Sequence, residues 1–152
     1  MRCQNDVSTL DGKMKRKHTD RQQPKPYVVF VSHATYDKWV AKVMCEKLAS
    51  ADIETFRDDR NIEGGAGIPE SIRDAIERCD EVLLLFSPAA IDRQWVTLEI
   101  GMAFFARKRI VPILFHAEAT QLPGLIDLKR AFDINEFDNY IADVLKRKEA
   151  HV

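Results

Sequence analysis

Short apolar runs alternate with segments of helical periodicity from Tyr27 onward. The runs predict strands at 27–32, 52–57, 81–86 and 109–115, with a weaker strand near 130–134. Several of these runs lack polar alternation, which is typical of strands that are covered on both faces of a parallel sheet. The chain is therefore expected to form a sheet with helices packed on both sides.

Helical stripes of apolar residues lie between these runs and after the last one. They predict helices at 36–51, 69–79, 91–106 and 137–145. Pro69 suits the first position of its helix, where a missing N–H costs nothing. Pro112 removes one ladder donor from the fourth strand, so an edge position or a bulge is expected there. The alternation predicts an α/β, flavodoxin-like three-layer fold with a five-stranded parallel sheet in the order 2-1-3-4-5.

The first 26 residues differ from the rest in pattern and in charge. They lack periodicity and hold seven Lys and Arg against three Asp and Glu, which leaves 16 against 21 for the remainder. We expect a disordered basic tail at 1–26 and one folded domain at 27–152. The tail's basic cluster at 13–18 has a second interpretation, as a contact for nucleic acid or a membrane surface. The mildly acidic domain has no electrostatic footprint for nucleic acid.

Cysteine use and hydropathy indicate the compartment. Cys3, Cys45 and Cys79 include no close pair, so neither a disulfide framework nor a zinc site is predicted, and the last two are expected to be small buried side chains. No apolar stretch reaches the roughly 20 residues of a membrane span, and the N-terminus lacks the apolar core of a signal peptide. We expect a cytoplasmic protein without a bound metal or cofactor.

One carboxylate interrupts an otherwise apolar helical face. Helical spacing places Glu99 on the same side as five apolar residues, Ile91, Trp95, Met102, Ala103 and Ala106. Glu99 is either a surface residue at the edge of the core or a carboxylate with a function. In a 2-1-3-4-5 sheet, ligands bind where the strand order reverses, between the first and third strands. The loops there are 32–36 and 87–90, and the second leads into the Glu99 helix.

Ordered motifs along the domain identify a family resemblance. They are Phe30-Val-Ser32 with Asp37, Phe56-Arg-Asp58 followed by Ile62, Gly65 and Ile68, Ala75-Ile76, Ser87 with Trp95-x-x-x-Glu99, and Val111-Pro-Ile-Leu-Phe115. Together they resemble a Toll/interleukin-receptor (TIR) domain of the plant and bacterial type. In enzymatic members of that family, the glutamate at the position of Glu99 cleaves the nicotinamide glycosidic bond of NAD+. The resemblance implies an NAD+ glycohydrolase or cyclase that forms ADP-ribose, a cyclic ADP-ribose isomer or an ADP-ribose conjugate.

The leaving group explains why one carboxylate is enough. Glycosidases pair an acid that protonates the leaving alkoxide with a carboxylate that stabilises the sugar cation. Nicotinamide in NAD+ is already a cationic pyridinium and leaves as a neutral molecule, so the acid is unnecessary. One ionised glutamate beside the ribose is sufficient in principle.

Other residues near the predicted crevice are candidates for substrate binding. Ser32, His33 and Ser87 lie in the crevice loops, and Arg57 follows the second strand. His33 is either a contact to the ribose or pyrophosphate or a structural hydrogen-bonding residue. Trp95 is either a core aromatic or a wall that places Glu99 against the ribose. His116 is interpreted as structural.

The segment after Arg57 is rich in charge and glycine. Alone, Asp59 with Gly64, Gly65 and Gly67 predicts a mobile surface loop. It has neither the G-x-G-x-x-G spacing nor a P-loop Lys-Ser/Thr. In the TIR family this loop mediates self-association and can complete a neighbour's active site, so the resemblance implies a homo-oligomer whose activity depends on assembly.

Two other functions stay open. One is a non-enzymatic module that docks onto another TIR domain, and the other is an enzyme similar to nucleoside deoxyribosyltransferases, which also use a glutamate at an anomeric carbon. The lack of an acidic pair after the first strand disfavours a phosphoacceptor receiver domain. A chain of this architecture resembles the small TIR components of bacterial antiphage systems, which make an immune signal for a separate effector.

Overall fold

The computed structural model describes residues 25–57 and 69–150, apart from the side chain of Trp95. Five parallel strands form one sheet: β1 (Val28–Ser32), β2 (Glu54–Arg57), β3 (Glu81–Phe86), β4 (Arg109–Leu114) and β5 (Phe132–Asp133). Their order is β2-β1-β3-β4-β5. The predicted fold class and strand order are therefore confirmed, and β1 and β3 are neighbours at the switch point.

In the part of the chain that the structure describes, five α-helices and four short 3₁₀ helices connect and cover the strands. The α-helices are α1 (Lys38–Ser50), α2 (Glu70–Arg78), α3 (Pro88–Ile91), α4 (Gln94–Phe105) and α5 (Phe137–Glu149). The 3₁₀ helices among the described residues are Thr35–Asp37, Ala119–Gln121, Leu128–Arg130 and Ile134–Glu136. Pro69 is the N-cap of α2 and stands one position before the helix begins.

Alternate residues of the buried strands face two separate cores. Phe30, Val82 and Leu84 pack with α2 and α4 on one face of the sheet. Val31 and Leu83 pack with α1 and α5 on the other face. This alternation follows from the strand geometry, which points successive side chains to opposite faces. Each face carries its own apolar core, so the sheet is the middle of three layers.

The predicted helix over 91–106 is two helices. α3 ends at Ile91, Asp92 and Arg93 interrupt the helix, and α4 starts at Gln94. Of the predicted stripe, Glu99 and Ala103 are buried, Ile91 and Met102 pack partly buried against the same core, and Ala106 is exposed. Among the described side chains of α4, those of Val96, Glu99, Ile100 and Ala103 are buried, at spacings of three and four.

One local expectation is confirmed, the local edge at Pro112, and one needs correction, the burial of Cys45. Pro112 lies in a strand that has a neighbour on each side, but β5 pairs only with Ile113 and Leu114, so the residue has no ladder partner on that side. Because β5 is only two residues long and does not reach Pro112, the missing N–H breaks no hydrogen bond on that side, and no bulge is needed. Cys79 is buried as expected, whereas Cys45 is only half-buried.

Candidate active site

Ser32 is the last residue of β1, and its side chain faces the layer of α2 and α4. Phe30, two residues earlier, packs in the core on that face, and side chains two apart along a strand point the same way. The Ser32 hydroxyl meets the Glu99 carboxylate there and donates a hydrogen bond to Glu99 Oε2. Residues 67 positions apart in the chain are thus joined at the switch point between β1 and β3.

Glu99 is almost completely buried. Its exposed fraction is 2%, and its neighbours on the inner face of α4 are the core residues Val96, Ile100 and Ala103. The sequence left open whether Glu99 is a surface residue, and its burial excludes that explanation. A carboxylate in such surroundings is costly unless hydrogen bonds compensate it, and Ser32 supplies one.

A second hydroxyl and carboxylate pair lies beside the first. Ser87 follows β3 and is the N-cap of α3, yet its hydroxyl donates to Asp37 Oδ2 instead of capping the helix. Asp37 belongs to the 3₁₀ helix that follows β1, and both side chains are buried. The Asp37–Ser87 bond therefore ties the loop after β1 to the loop after β3, across the crevice.

Arg93 makes another contact between these two loops. Its guanidinium lies 5.2 Å from the centroid of the Tyr36 ring, which is the geometry of a cation–π interaction. Tyr36 precedes Asp37, and Arg93 is the N-cap residue of α4. Neither residue was a predicted site residue, because 57 positions separate them and neither has a motif.

Of the remaining predicted residues, some lie near the switch point, some lie away from it, and some lie outside the described residues. His33 is buried directly after Ser32, at the same edge of the sheet. Arg57 ends β2 and is half-buried, one strand away from the crevice on the far side of β1. The backbone of Trp95 is in the first turn of α4, whereas its side chain lies outside the described residues. Asp59, Gly64, Gly65 and Gly67 also lie outside them.

A separate cleft opens farther along the same edge. It has a volume of about 770 Å³ and lies at the ends of β4 and β5, with His116, Glu118, Asp133 and Asn135 in its lining. His116 is thus away from the switch point. Within the described ranges, no three His, Cys, Asp or Glu side chains cluster so that they could hold a metal ion. No helix of residues 25–57 and 69–150 has the length and apolar character to cross a bilayer.

Comparisons with known proteins agree with this architecture. A relative from Brachypodium distachyon, a probable 2′ cyclic ADP-D-ribose synthase, is 31% identical over 98 residues, which are 63% of this chain and 44% of the relative. This chain therefore matches less than half the length of that protein.

Solved structures show the same fold at lower identity. The TIR domain of the Toll-related receptor TRR-2 from Hydra magnipapillata superposes with a TM-score of 0.63 and 22% identity, over 80% of this chain and 97% of that one. A TIR-STING receptor from C. gigas gives a TM-score of 0.62 and 24% identity, over 80% of this chain and 41% of that one. The family profile of the TIR domain matches residues 29–146. The chain belongs to the TIR domain family.

Proposed function

We propose that this protein cleaves the bond between nicotinamide and ribose in NAD+ and that Glu99 is the catalytic residue. The observation that carries the proposal is the buried Glu99 carboxylate at the β1–β3 switch point, hydrogen-bonded by Ser32. A buried carboxylate at a ligand-binding edge is a candidate for chemistry, since burial alone would favour an apolar residue there. The Brachypodium relative, named as a probable cyclic ADP-ribose synthase, supports the same substrate.

The proposed reaction needs one carboxylate. The bond between ribose C1′ and the pyridinium nitrogen breaks, and its electron pair neutralises the ring, so nicotinamide leaves uncharged. The ionised Glu99 stabilises the positive charge that develops on the ribose. Water then attacks C1′ and loses a proton, which yields ADP-ribose. Attack by a ribose hydroxyl of the same molecule yields a cyclic isomer, and attack by another nucleophile yields a conjugate.

The buried pairs supply the positioning that this step requires. Ser32 orients the carboxylate, and the Asp37–Ser87 bond holds the two crevice loops in register. Burial excludes water from the carboxylate, which strengthens its interaction with a cation. His33, Arg57 and Trp95 belong to the proposed substrate-binding set. The relative's name favours cyclisation among the three outcomes.

Glu99→Gln is the direct test. Glutamine preserves the size of the buried side chain and can still contact Ser32, but it carries no charge to stabilise the ribose cation. We expect nicotinamide release to fall by at least about 100-fold, the scale of losing one electrostatic group in an active site. Products from NAD+ should be identified by mass spectrometry with protein purified free of host NAD-consuming enzymes.

Glu77→Gln is the matched control, because Glu77 is an exposed glutamate on the neighbouring helix α2. It should release nicotinamide at the wild-type rate. Equal release by wild type and Glu99→Gln would remove Glu99 from the mechanism. A folded wild-type protein without any release would favour the non-enzymatic docking module, and exchange of nucleosides without NAD+ turnover would favour the transferase.

The proposal includes homo-oligomers as the active form and a separate effector that senses the product as an immune signal. Family resemblance supports the first part, since the loop that contains Asp59, Gly64, Gly65 and Gly67 can complete a neighbour's site. The rate per protomer should therefore rise with protein concentration or crowding, while the mass measured by light scattering rises in parallel. A rate that stays constant in a proven monomer would exclude a role for assembly.

A further inference from the structure

Two exposed aromatic rings follow β1 in the chain. Tyr36 is 81% exposed, and Trp39, three residues later at the start of α1, is 74% exposed. Exposed rings scattered over a surface are common, but Tyr36 stands where the loop after β1 meets the start of α4 and is therefore a candidate for ligand contact. Tyr36 also has the guanidinium of Arg93 against its ring.

The hydrogen bonds below this pair fix where it stands. Tyr36 adjoins Asp37, which accepts from Ser87 across the crevice. Four residues before Tyr36, Ser32 donates to Glu99. Tyr36 and Arg93 therefore come from opposite sides of the same crevice and meet at its solvent side, while Glu99 lies at its buried side. A ligand whose reacting end reaches Glu99 would extend past them.

The chemistry of the pair suits the part of a dinucleotide that does not react. A tyrosine ring stacks on a purine base, and arginine recognises phosphate through its planar fork of donors. Arg93 is also the N-cap of the twelve-residue helix α4, which begins without a side-chain cap. A helix N-terminus favours an anion at the same position. Base and pyrophosphate are the groups that this rim can bind.

We propose that Tyr36 and Arg93 bind the adenosine diphosphate half of the substrate, with adenine stacked on Tyr36 and the pyrophosphate paired with Arg93. This inference rests on the proposed function for the identity of the ligand. It assigns the two halves of NAD+ to different parts of the crevice: the nicotinamide riboside to the buried carboxylate and the adenosine diphosphate to the exposed rim. When the dinucleotide binds, the Arg93 guanidinium leaves the exposed Tyr36 ring and pairs with the phosphates.

Titration calorimetry with ADP-ribose on the full chain tests this assignment without requiring turnover. Tyr36→Ala should weaken binding by roughly 5- to 150-fold, the effect of removing one base-stacking ring. Tyr36→Phe retains the ring and should retain most of the affinity. Arg93→Gln should weaken binding and reduce its dependence on salt, because a phosphate contact is lost.

Phe105→Ala is the matched control. Phe105 is 87% exposed and is the last residue of α4. Because α4 begins near the crevice and runs away from it, Phe105 lies at the opposite edge of the sheet. Its truncation should leave ADP-ribose binding unchanged. Because Tyr36 is as exposed as Phe105, thermal unfolding of both variants should match that of the wild type.

The outcomes separate this inference from the proposed catalysis. If the wild type binds ADP-ribose in a Tyr36- and Arg93-dependent manner but releases no nicotinamide, the rim assignment stands and the proposed reaction fails. If nicotinamide is released but Tyr36→Ala and Arg93→Gln bind ADP-ribose as the wild type does, the assignment is overturned and the reaction stands. A wild type that does not bind ADP-ribose at all also overturns the assignment.

Discussion

The hydroxyl of Ser32 donates a hydrogen bond to the Glu99 carboxylate, and Ser32→Ala removes this donor with little change of volume. We expect kcat for nicotinamide release to fall by roughly 10- to 150-fold, because a hydrogen bond to a charged group contributes about 1.5–3 kcal/mol. KM should change less, since Ser32 acts through Glu99. Steady-state kinetics would measure the two constants separately.

A double-mutant cycle shows whether Ser32 acts through the carboxylate. In a Glu99→Gln background, Ser32→Ala should cost little further activity, because residues that act as a unit are not additive. Ser50→Ala is the control for the same chemical change, at an exposed serine that ends α1 on the opposite edge of the sheet. Additive losses in the cycle would show that Ser32 has a separate role.

For single residues, the sequence predicted the place in the fold better than it predicted which side chains contact one another. Helical spacing and the switch-point rule placed Glu99 and Ser32 near each other, and their hydrogen bond agrees with that placement, while their roles in catalysis and binding stay predictions. The Asp37–Ser87 bond and the Tyr36–Arg93 contact were not predicted, although Asp37 was part of the family resemblance. Such pairs form only when two distant loops meet in three dimensions, and single-residue types give no signal for that encounter.

Elements were predictable where burial imposes a pattern. β3 matches its predicted range because all six of its residues are buried, and α5 begins where the apolar stripe begins. The break between α3 and α4 was missed because neither Gly nor Pro marks the interruption, and the low helix propensity of Asp92 alone does not predict it. β5 has only two residues, which is too short for any periodicity.

The positions where helices end are also difficult to predict from the sequence. α1 and α4 both end in a Schellman motif, in which the residue after the C-cap adopts a left-handed conformation. Glycine is the usual residue there, but here the positions are held by Asp52 at φ 57° and Arg107 at φ 54°. Backbone bonds such as Lys108 N–H to the Ala103 carbonyl, at 2.9 Å, close the turn despite the strain. Composition alone therefore does not reveal where these helices stop.

The whole molecule is held together at the edge of the sheet opposite the crevice by a buried carboxylate. Glu81 is the first residue of β3 and is fully buried. Its oxygens accept from the hydroxyls of Tyr27 at 2.8 Å and Tyr140 at 2.7 Å, and from Arg147 at 2.8 and 3.0 Å. Tyr140 and Arg147 lie on α5, so one carboxylate joins the sheet to the last helix. The members of this network are far apart in the chain, so no sequence pattern predicts it.

This network makes stability sensitive to alkaline pH. Burial, together with the Glu81 carboxylate, raises the pKa values of Tyr27 and Tyr140 above the ordinary tyrosine value of 10.0. Burial likewise raises the pKa of Cys79 from 9.0 to about 11. Above the ordinary values, the unfolded chain releases these protons while the folded chain retains them. The unfolded state then binds fewer protons, so the free energy of unfolding falls as pH rises.

We therefore expect the free energy of unfolding to be unaffected by these groups below about pH 9 and to decline above it. The slope should reach roughly 1.4 kcal/mol per pH unit for each group that ionises only in the unfolded chain. Urea titrations between pH 7 and 11, with reductant present, would measure the decline. Tyr27→Phe removes one titrating hydroxyl, so this variant should be less stable at neutral pH but lose stability with a shallower alkaline slope. Equal slopes for the variant and the wild type would contradict the role assigned to Tyr27, because the difference isolates the proton that its hydroxyl retains beside Glu81.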